Sequence, residues 1–427
     1  MPPVWRMTRF APVQDAGGER QAGGGVLPVG EACWDGTMPD SLKITHSLLR
    51  LGRLPLEPGL RGLAPGTAES GLVATATVAA PDSSTSRAYA WDVAWADAVR
   101  EASQLGADPA TAQALERGAM STAGGRTQVV VAAHGEAVLT WRLASGVGPS
   151  SVRVGPLPYL TEAADAAARR PAYVVVLADR DGTDIIAHTA GDQIPGRRFE
   201  VGDRPGAQHD PHPDRPPAQH HGERHLTDSE PESGGQRNAE FIAARVAEAA
   251  DSVRAHIVLG AGDQHILDAI AAHLPETVGP VTPITGGRAA GGLDDHLVEG
   301  ISAALDEITS AAIGMVGDLV ASLAERPSPA AVRGIKAVAE QLAEQQVAVL
   351  LLAADVARDA AGSRYRIGSR PTEFLVDEPD TGVEVPLEDG LVWAAVHQDA
   401  IVVQLPERTG PLAGEPTAAL LRRGSAG

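Results

Sequence analysis

The chain has 427 residues and a formal net charge of −20, from 35 basic and 55 acidic residues. Apolar residues make up 43% of it, which excludes a wholly disordered chain, and the length predicts about two to four domains. Its one cysteine, Cys33, excludes a disulfide scaffold and a cysteine-based zinc site and is typical of a reducing cytosol. We find neither a secretory signal nor an apolar run near the ~20 residues that span a bilayer, so we expect a cytoplasmic protein with no membrane partner.

The first part of the chain predicts one α/β domain over residues 41–155. Residues 1–40 are rich in glycine and proline and lack hydrophobic periodicity, so we expect them to be disordered or extended. After them, hydrophobic spacing and turn residues predict a strand, two helices and a hairpin-like pair of strands. In chain order they are a strand at Gly71–Ala79, a helix at Ser86–Gln104, a helix that begins at Asp108 and Pro109, and two strands at Gln128–Ala133 and Ala137–Leu143.

The middle of the chain predicts a second α/β domain, residues 156–288, around a long exposed loop. Residues 191–235 hold five of the 13 histidines and seven prolines, a composition that does not pack a core. On either side of this loop we predict alternating helices and strands. They are a helix at Leu157–Arg170, strands at Tyr173–Ala178 and Thr183–Thr189, a helix at Arg237–Ser252, a strand at His256–Leu259, a helix at Asp263–His273 and a strand at Val281–Ile284.

The last part, residues 289–427, predicts a third α/β domain after a glycine-rich hinge at Gly286–Gly292. The fold class is therefore three consecutive α/β domains. The predicted elements are one long helix or a broken pair at Asp294–Arg326, a helix at Pro329–Gln345, a strand at Val347–Leu352, a helix at Gly390–Val396 and a strand at Ala400–Leu405.

One candidate site is Ser233 followed by Gly234, Gly235 and Gln236, between the long loop and the helix predicted from Arg237. Two glycines let the backbone approach a substrate closely, and a glutamine at a loop tip can position water or donate to a developing oxyanion. The alternative is a flexible loop end with Ser233 as a helix cap, and that alternative stays open.

A second candidate is the set of arginines in and beside the loop, which could meet RNA phosphates. Its members are Arg197, Arg198, Arg204, Arg215, Arg224 and Arg237. Acidic residues nearly cancel their charge, so a mixed-charge loop is an equal alternative.

The remaining patterns predict structure rather than chemistry. The histidines of the loop match no structural zinc spacing, so we predict no metal site. The Gly260–Gly262 pattern follows a strand but lacks the third glycine of a dinucleotide fingerprint, so it predicts a plain strand-to-helix turn and no cofactor. We find no Ser/His/Asp order, Walker loop or HExxH helix.

From Ser70 to Arg423 the order of features resembles the bacterial branch of the archaeo-eukaryotic class-I release factor and Pelota superfamily, and is similar to its ribosome hibernation factors and their mycobacterial relatives. Seven stretches carry the resemblance, and their shared order is the specific signal. They are Trp91–Glu116, Gly155–Ile185 (GPLPYLTEAADAAARRPAYVVVLADRDGTDI), Gly234–Ser252 (GGQRNAEFIAARVAEAADS), Val258–Glu276, the linker Gly286–Gly292, Ala343–Ala353 and the tail Asp399–Arg423.

The resemblance implies a decoding-centre domain, a middle domain that reaches toward the peptidyl transferase centre, and an L7Ae-like third domain. It implies the 70S ribosome, with its A site and rRNA, as partner, together with a translational GTPase of the elongation-factor Tu type. In classical release factors a Gly-Gly-Gln tip promotes peptidyl-tRNA hydrolysis, and Gly234, Gly235 and Gln236 are the positions that match. Arg197, Arg198, Arg224 and Arg237 become candidate RNA contacts.

Two departures from the family pattern leave two functions open. The first domain has no Asn-Ile-Lys-Ser stop-codon motif, and acidic residues (Asp228, Glu230, Glu232) stand where basic residues usually precede the Gly-Gly-Gln. Carboxylates there would repel rRNA phosphates. We therefore expect an A-site binding factor that acts in ribosome hibernation or translation stress. The alternative is an enzyme, a codon-independent peptidyl-tRNA hydrolase that acts in ribosome rescue through Gln236.

Overall fold

Three main sheets carry the fold, each with helices on its faces. The structure is a computed structural model. It describes residues 50–54, 56, 58–66, 71–79, 87–119, 127–143, 150–179, 182–190, 198–201, 231–286, 288–289, 292–293, 295–326, 330–356, 365–368, 370, 373–376, 382–408 and 410–422. The segment expected to be disordered, 1–40, and most of the predicted long loop lie outside these ranges.

The first sheet is a four-stranded antiparallel sheet in the order β3-β2-β1-β4. Its elements are α1 (Pro58–Arg61), β1 (Val73–Ala79), α2 (Arg87–Gln104), α3 (Pro109–Gly118), β2 (Thr127–Ala133), β3 (Glu136–Leu143) and β4 (Ser151–Gly155). The predicted cap of α3 is confirmed, because an Asp108 carboxylate oxygen accepts from the backbone N–H groups of Ala110 and Thr111 at 3.0 Å each. On one face α2 and α3 cover the sheet, with Trp91 and Trp95 packed edge to face.

The second sheet has five strands in the order β7-β6-β5-β8-β9, with β5, β8 and β9 parallel. Its elements are α4 (Thr161–Arg169), β5 (Tyr173–Asp179), β6 (Gly182–His188), β7 (Arg198–Val201), α5 (Pro231–Val253), β8 (Val258–Gly262), α6 (Gln264–Ala271) and β9 (Val281–Pro283). One face packs against α5 and α6 through Ile242, Val246 and Ile270.

The third sheet has the order β12-β18-β13-β17, with β13 parallel to β17. A three-stranded sheet (β15-β14-β16) and a short hairpin (β10, β11) accompany it. The elements are β10 (Arg288–Ala289), β11 (Gly292–Leu293), α7 (Asp295–Leu323), β12 (Ala331–Arg333), α8 (Ile335–Ala343), β13 (Val347–Ala353), β14 (Tyr365–Ile367), β15 (Phe374–Val376), β16 (Val383–Val385), α9 (Leu387–His397), β17 (Ile401–Leu405), a 3-10 turn (Gly410–Leu412) and β18 (Thr417–Leu421).

The helix α7 packs against two of the sheets. Its first half contributes Leu297, Ile301 and Leu305 to the second face of the second sheet. Its second half contributes Val316, Leu319 and Leu323 to the core under the third sheet. The sequence pattern over Asp294–Arg326 allowed either one long helix or a broken pair of helices. The structure has a single helix of 29 residues, about 43 Å long.

The α/β class is confirmed, whereas the domain boundaries after residues 40, 155 and 288 stay a prediction. The helix predicted at Pro329–Gln345 is wrong in its first part, because three residues there form β12, a strand too short to leave a periodic signal. The helix predicted from Leu157 begins only at Thr161. Several short strands were not predicted at all, namely β4, β10 and β11 at the predicted glycine-rich hinge, β14, β15, β16 and β18.

Candidate functional site

The Gly-Gly-Gln segment lies in the first turns of α5, at one edge of the second sheet. α5 leads into β8, which is parallel to β5, so the helix runs opposite to both strands. The start of α5 therefore lies beside the carboxyl ends of these strands, where α6 also begins. In open α/β sheets this edge is where ligands commonly bind.

The packed part of α5 is described from residue 238 onward, where Ala239, Ile242, Val246 and Ala250 are buried. The eight residues before Ala239, from Pro231, span about 12 Å of helix. The Gly-Gly-Gln backbone lies in this amino-terminal part of the helix.

This placement corrects the predicted loop tip. The helix was predicted from Arg237, but it begins at Pro231, so Ser233–Gln236 are helical rather than part of the exposed loop. Proline is favoured at the first helical position because its missing N–H group would have no partner there. The two glycines weaken a helix without preventing it, and the packed turns that follow compensate for them.

Two of the four candidate RNA-binding arginines lie on elements whose backbone the structure describes. Arg198 lies on the edge strand β7, opposite Ile186 of β6, and Arg237 lies on α5. The strand β7 is itself a correction, since it falls within the predicted loop. Arg197 and Arg224 lie outside the described residues, so the arginine site stays a prediction.

The two glycines of the Gly260–Gly262 turn allow β8 to pack closely against its neighbouring strands. Gly262 has φ of +114°, and a Cβ there would lie 1.9 Å from the carbonyl oxygen of Ala178. A Cβ on Gly260 would lie 2.6 Å from Val281. Asp263 then caps α6 by accepting from the backbone N–H of His265 at 2.9 Å. Both glycines are explained by close contact between β8 and its neighbours, as a plain strand-to-helix turn requires.

The described ranges hold neither a metal-binding cluster nor a membrane-spanning helix. There, no group of three or more His, Cys, Asp or Glu side chains could hold a metal ion. None of the helices described is long and apolar enough to cross a membrane.

Sequence reasoning missed a carboxyl cluster in which Glu388 and Asp389 of α9 are buried and Glu162 of α4 is half-buried. Glu388 and Asp389 are each 7% exposed. One carboxylate oxygen each of Glu162 and Asp389 is buried and has no hydrogen-bond partner among the described residues. No local pattern could have revealed this cluster, because α4 and α9 are far apart in the chain.

Burial controls the charge of this cluster. It raises the pKa of Asp389 to about 7, with a further rise from the Glu388 carboxylate and a smaller opposing effect of Arg153. Burial also raises the pKa of Glu162. The Arg153 guanidinium stacks over the Tyr159 ring at 3.6 Å, and burial raises the pKa of that phenol. Asp389 therefore gains and loses its proton close to neutral pH, well above the range of an ordinary carboxyl group.

Comparison with known proteins gives one family match. Residues 172–326 match the family model described as bacterial archaeo-eukaryotic release factor family 2. The resemblance to the release-factor and Pelota superfamily is confirmed across this segment. It contains the second sheet, α5 with its Gly-Gly-Gln, and the whole of α7. No curated protein matches the sequence.

Solved structures of the superfamily also align with the chain. Pelota from Archaeoglobus fulgidus is 14% identical, with 70% of this chain and 80% of that chain covered and a TM-score of 0.31. An archaeal Pelota described as ribosome-bound together with ABCE1 is 13% identical, with 87% and 99% covered and a TM-score of 0.35. Dom34 from S. cerevisiae, described as interacting with Hbs1, is 11% identical, with 66% and 77% covered and a TM-score of 0.33. The family match concerns residues 172–326, and these distant alignments add no argument to it.

Proposed function

We propose that the protein is a ribosome A-site factor that acts in hibernation or translation stress, as Balon-type members of the superfamily do. The observation that carries this proposal is the family match over residues 172–326, which includes the start of α5 with its Gly-Gly-Gln segment. The resemblance directs this segment to the peptidyl transferase centre.

Two sequence features favour occupancy of the A site over stop-codon termination. The sequence carries no Asn-Ile-Lys-Ser motif, which favours a role other than stop-codon reading. Acidic residues precede the Gly-Gly-Gln where classical release factors are basic, which weakens a tight fit against rRNA phosphates at the catalytic tip. A translational GTPase of the elongation-factor Tu type is the proposed delivery partner, through the L7Ae-like third domain.

The first test is sedimentation of the purified full chain with vacant 70S ribosomes, with and without such a GTPase, followed by imaging of the complex. We expect co-sedimentation that decreases as salt rises, because phosphate contacts release counter-ions, and density for the protein in the A site. No binding at low salt under either condition would refute the proposal.

The Gly-Gly-Gln string itself favours a second candidate, a codon-independent peptidyl-tRNA hydrolase. In that reaction the Gln236 amide would orient a water molecule toward the ester carbonyl of peptidyl-tRNA, and the glycine N–H groups would join it once the first turns of α5 unwind and release them from their helical hydrogen bonds. The water would form the new acid and the tRNA ribose would leave as its hydroxyl. Gln236→Ala should then abolish peptide release from stalled complexes and leave ribosome binding intact. A wild-type protein that releases no peptide, where a control release factor does, would eliminate this candidate.

A further inference from the structure

The first sheet and α9 share one hydrophobic core. Val129 and Val131 of β2 belong to the same cluster of buried side chains as Leu391 and Trp393 of α9. The helix α9 is buried from its first residue to Val396, and α4 packs against it. This contact joins an early and a late part of the chain, so a change that weakens it loosens the first sheet from the third.

Two neighbouring carboxyl groups, those of Glu388 and Asp389, are buried at the first turn of α9. The start of a helix favours negative charge, but Oδ1 of Asp389 accepts no hydrogen bond from a described residue. The helix also lacks a side-chain cap, since its N-cap residue is Pro386. An ionised carboxylate in this position has lost its water without gaining a donor, which is costly, whereas a protonated one is tolerated.

Few charged groups act on Asp389. Burial raises its pKa most, the Glu388 carboxylate raises it further, and the Arg153 cation of β4 lowers it. Glu162 of α4, whose pKa burial also raises, completes the group. Among the described residues, one cation thus faces two adjacent carboxyl groups, too few to balance both when they are ionised. The charged or titratable residues elsewhere on α9 and on the elements that pack against it do not act on Asp389; they are Asp165, Arg169, Lys336, Glu340, Tyr365, Arg366 and His397.

Tyr159 connects this region to the first sheet. Its backbone N–H donates to the hydroxyl oxygen of Thr75 on β1 at 3.1 Å, and its ring centre lies 3.6 Å from the Arg153 guanidinium. Tyr159 is buried, and the next residue, Leu160, packs in the core that the first sheet shares with α9. The hydrogen bond to Thr75 breaks when the first sheet separates from this layer, so the Tyr159 amide reports opening of the contact.

We propose that the contact between the first sheet and α9 is a pH-sensitive latch that loosens as Asp389 loses its proton. In the closed latch, burial and the Glu388 carboxylate favour the protonated carboxyl group. Opening admits water, and the pKa of Asp389 returns from about 7 toward its ordinary value of 3.8. Opening therefore releases a proton between these two pH values and becomes more frequent as pH rises, until both forms are ionised above about pH 7. The latch does not depend on the proposed ribosomal function.

The test is amide hydrogen exchange of the full chain from about pH 5 to about pH 8, measured at the Tyr159 amide. Exchange by itself accelerates about tenfold for each pH unit, so an opening that also releases a proton doubles the slope of log rate against pH, from about 1 to about 2. Asp389→Asn is compared with Asp318→Asn, an exposed acid of α7. The internal reference is the Ala112 amide, which donates to the Asp108 carbonyl oxygen at 2.9 Å on the opposite face of the first sheet.

We expect a slope of about 2 below pH 7 and about 1 above it in the wild type and in Asp318→Asn, so that opening becomes up to about 100-fold more frequent between pH 5 and pH 7. Asp389→Asn should give a slope of about 1 throughout. Glu388→Gln removes the neighbouring charge, so its slope should fall to 1 at a lower pH, a result that decides the matter if Asp389→Asn does not fold.

Three results would overturn the latch. One is a wild-type slope of about 1 over the whole range, and another is a slope of about 2 that persists in Asp389→Asn. The third is the same extra slope at the Ala112 amide, because it would mean that the whole protein unfolds rather than that this contact opens.

Discussion

Asp165 and Arg169 of α4 together bind both backbone polar groups of Gln404 on β17. An Asp165 carboxylate oxygen accepts from the Gln404 N–H at 2.8 Å, and Arg169 donates to the Gln404 carbonyl oxygen at 3.0 Å. The other Asp165 oxygen accepts from Arg169 Nε at 2.9 Å. β17 is an edge strand of the third sheet, so this ion pair occupies the backbone positions that a further strand would fill. It ties α4 to a strand more than 230 residues later in the chain.

Asp165→Ala should lower the free energy of unfolding by about 1–3 kcal/mol, because it leaves a partly buried N–H group without its acceptor. Urea denaturation measures the loss. Asp97→Ala is the matched control, since Asp97 forms a surface ion pair with Arg100 and should cost no more than about 0.5 kcal/mol. Equal losses in the two variants would show that Asp165 stabilises nothing beyond an ordinary surface pair.

Asp389→Asn should make the protein more stable than the wild type, and by more as the pH rises. The folded pKa of Asp389 is about 7, above the ordinary value of 3.8, so the folded state favours the protonated carboxyl. That contribution is complete below the unfolded pKa and is lost as pH rises through 7. The advantage of the variant should therefore grow between about pH 4 and pH 8, by a few kcal/mol at most.

The measurement for Asp389 is the free energy of unfolding of both proteins by urea at several pH values. Taking the difference between variant and wild type cancels the other titrating groups. Glu388, Glu162, Arg153 and Tyr159 are the charged or titratable groups that act on this cluster, and all of them remain in the variant. A difference that stays constant with pH would show that Asp389 is ionised in the folded protein at neutral pH.

Sequence patterns recovered the elements whose signal is local. The hairpin of β2 and β3 and the Asp108 cap follow from neighbouring residues, and both are confirmed. The start of α5 was missed because two glycines and a polar composition favour a loop, whereas the packed turns after Ala239 hold the helix together. The carboxyl cluster and the contact of Asp165 with Gln404 depend on tertiary packing, which leaves no spacing to detect in the sequence.

Two glycines should respond to alanine in opposite directions. Gly262→Ala should destabilise the protein by more than about 1 kcal/mol, because φ is +114° and a Cβ would lie 1.9 Å from the Ala178 carbonyl oxygen. Gly314→Ala should stabilise it by up to about 1 kcal/mol, since this residue lies inside α7 and nothing lies within 4 Å of the added Cβ. Thermal or urea unfolding of the two variants measures both effects, and a loss at Gly314 would contradict the continuous α7.

Replacing Gly234 and Gly235 by alanine should strengthen the start of α5. Alanine favours a helix over glycine by about 1 kcal/mol for each residue, so local opening of the first turns should become roughly 10- to 30-fold rarer. Amide hydrogen exchange over residues 234–240 measures this, with the amides of α2 in the same sample as the internal control. Exchange that is unchanged in this segment would mean that the helix does not begin at Pro231 in solution. Slower exchange together with intact ribosome binding would show that the protein uses this segment as a helix rather than as a flexible tip.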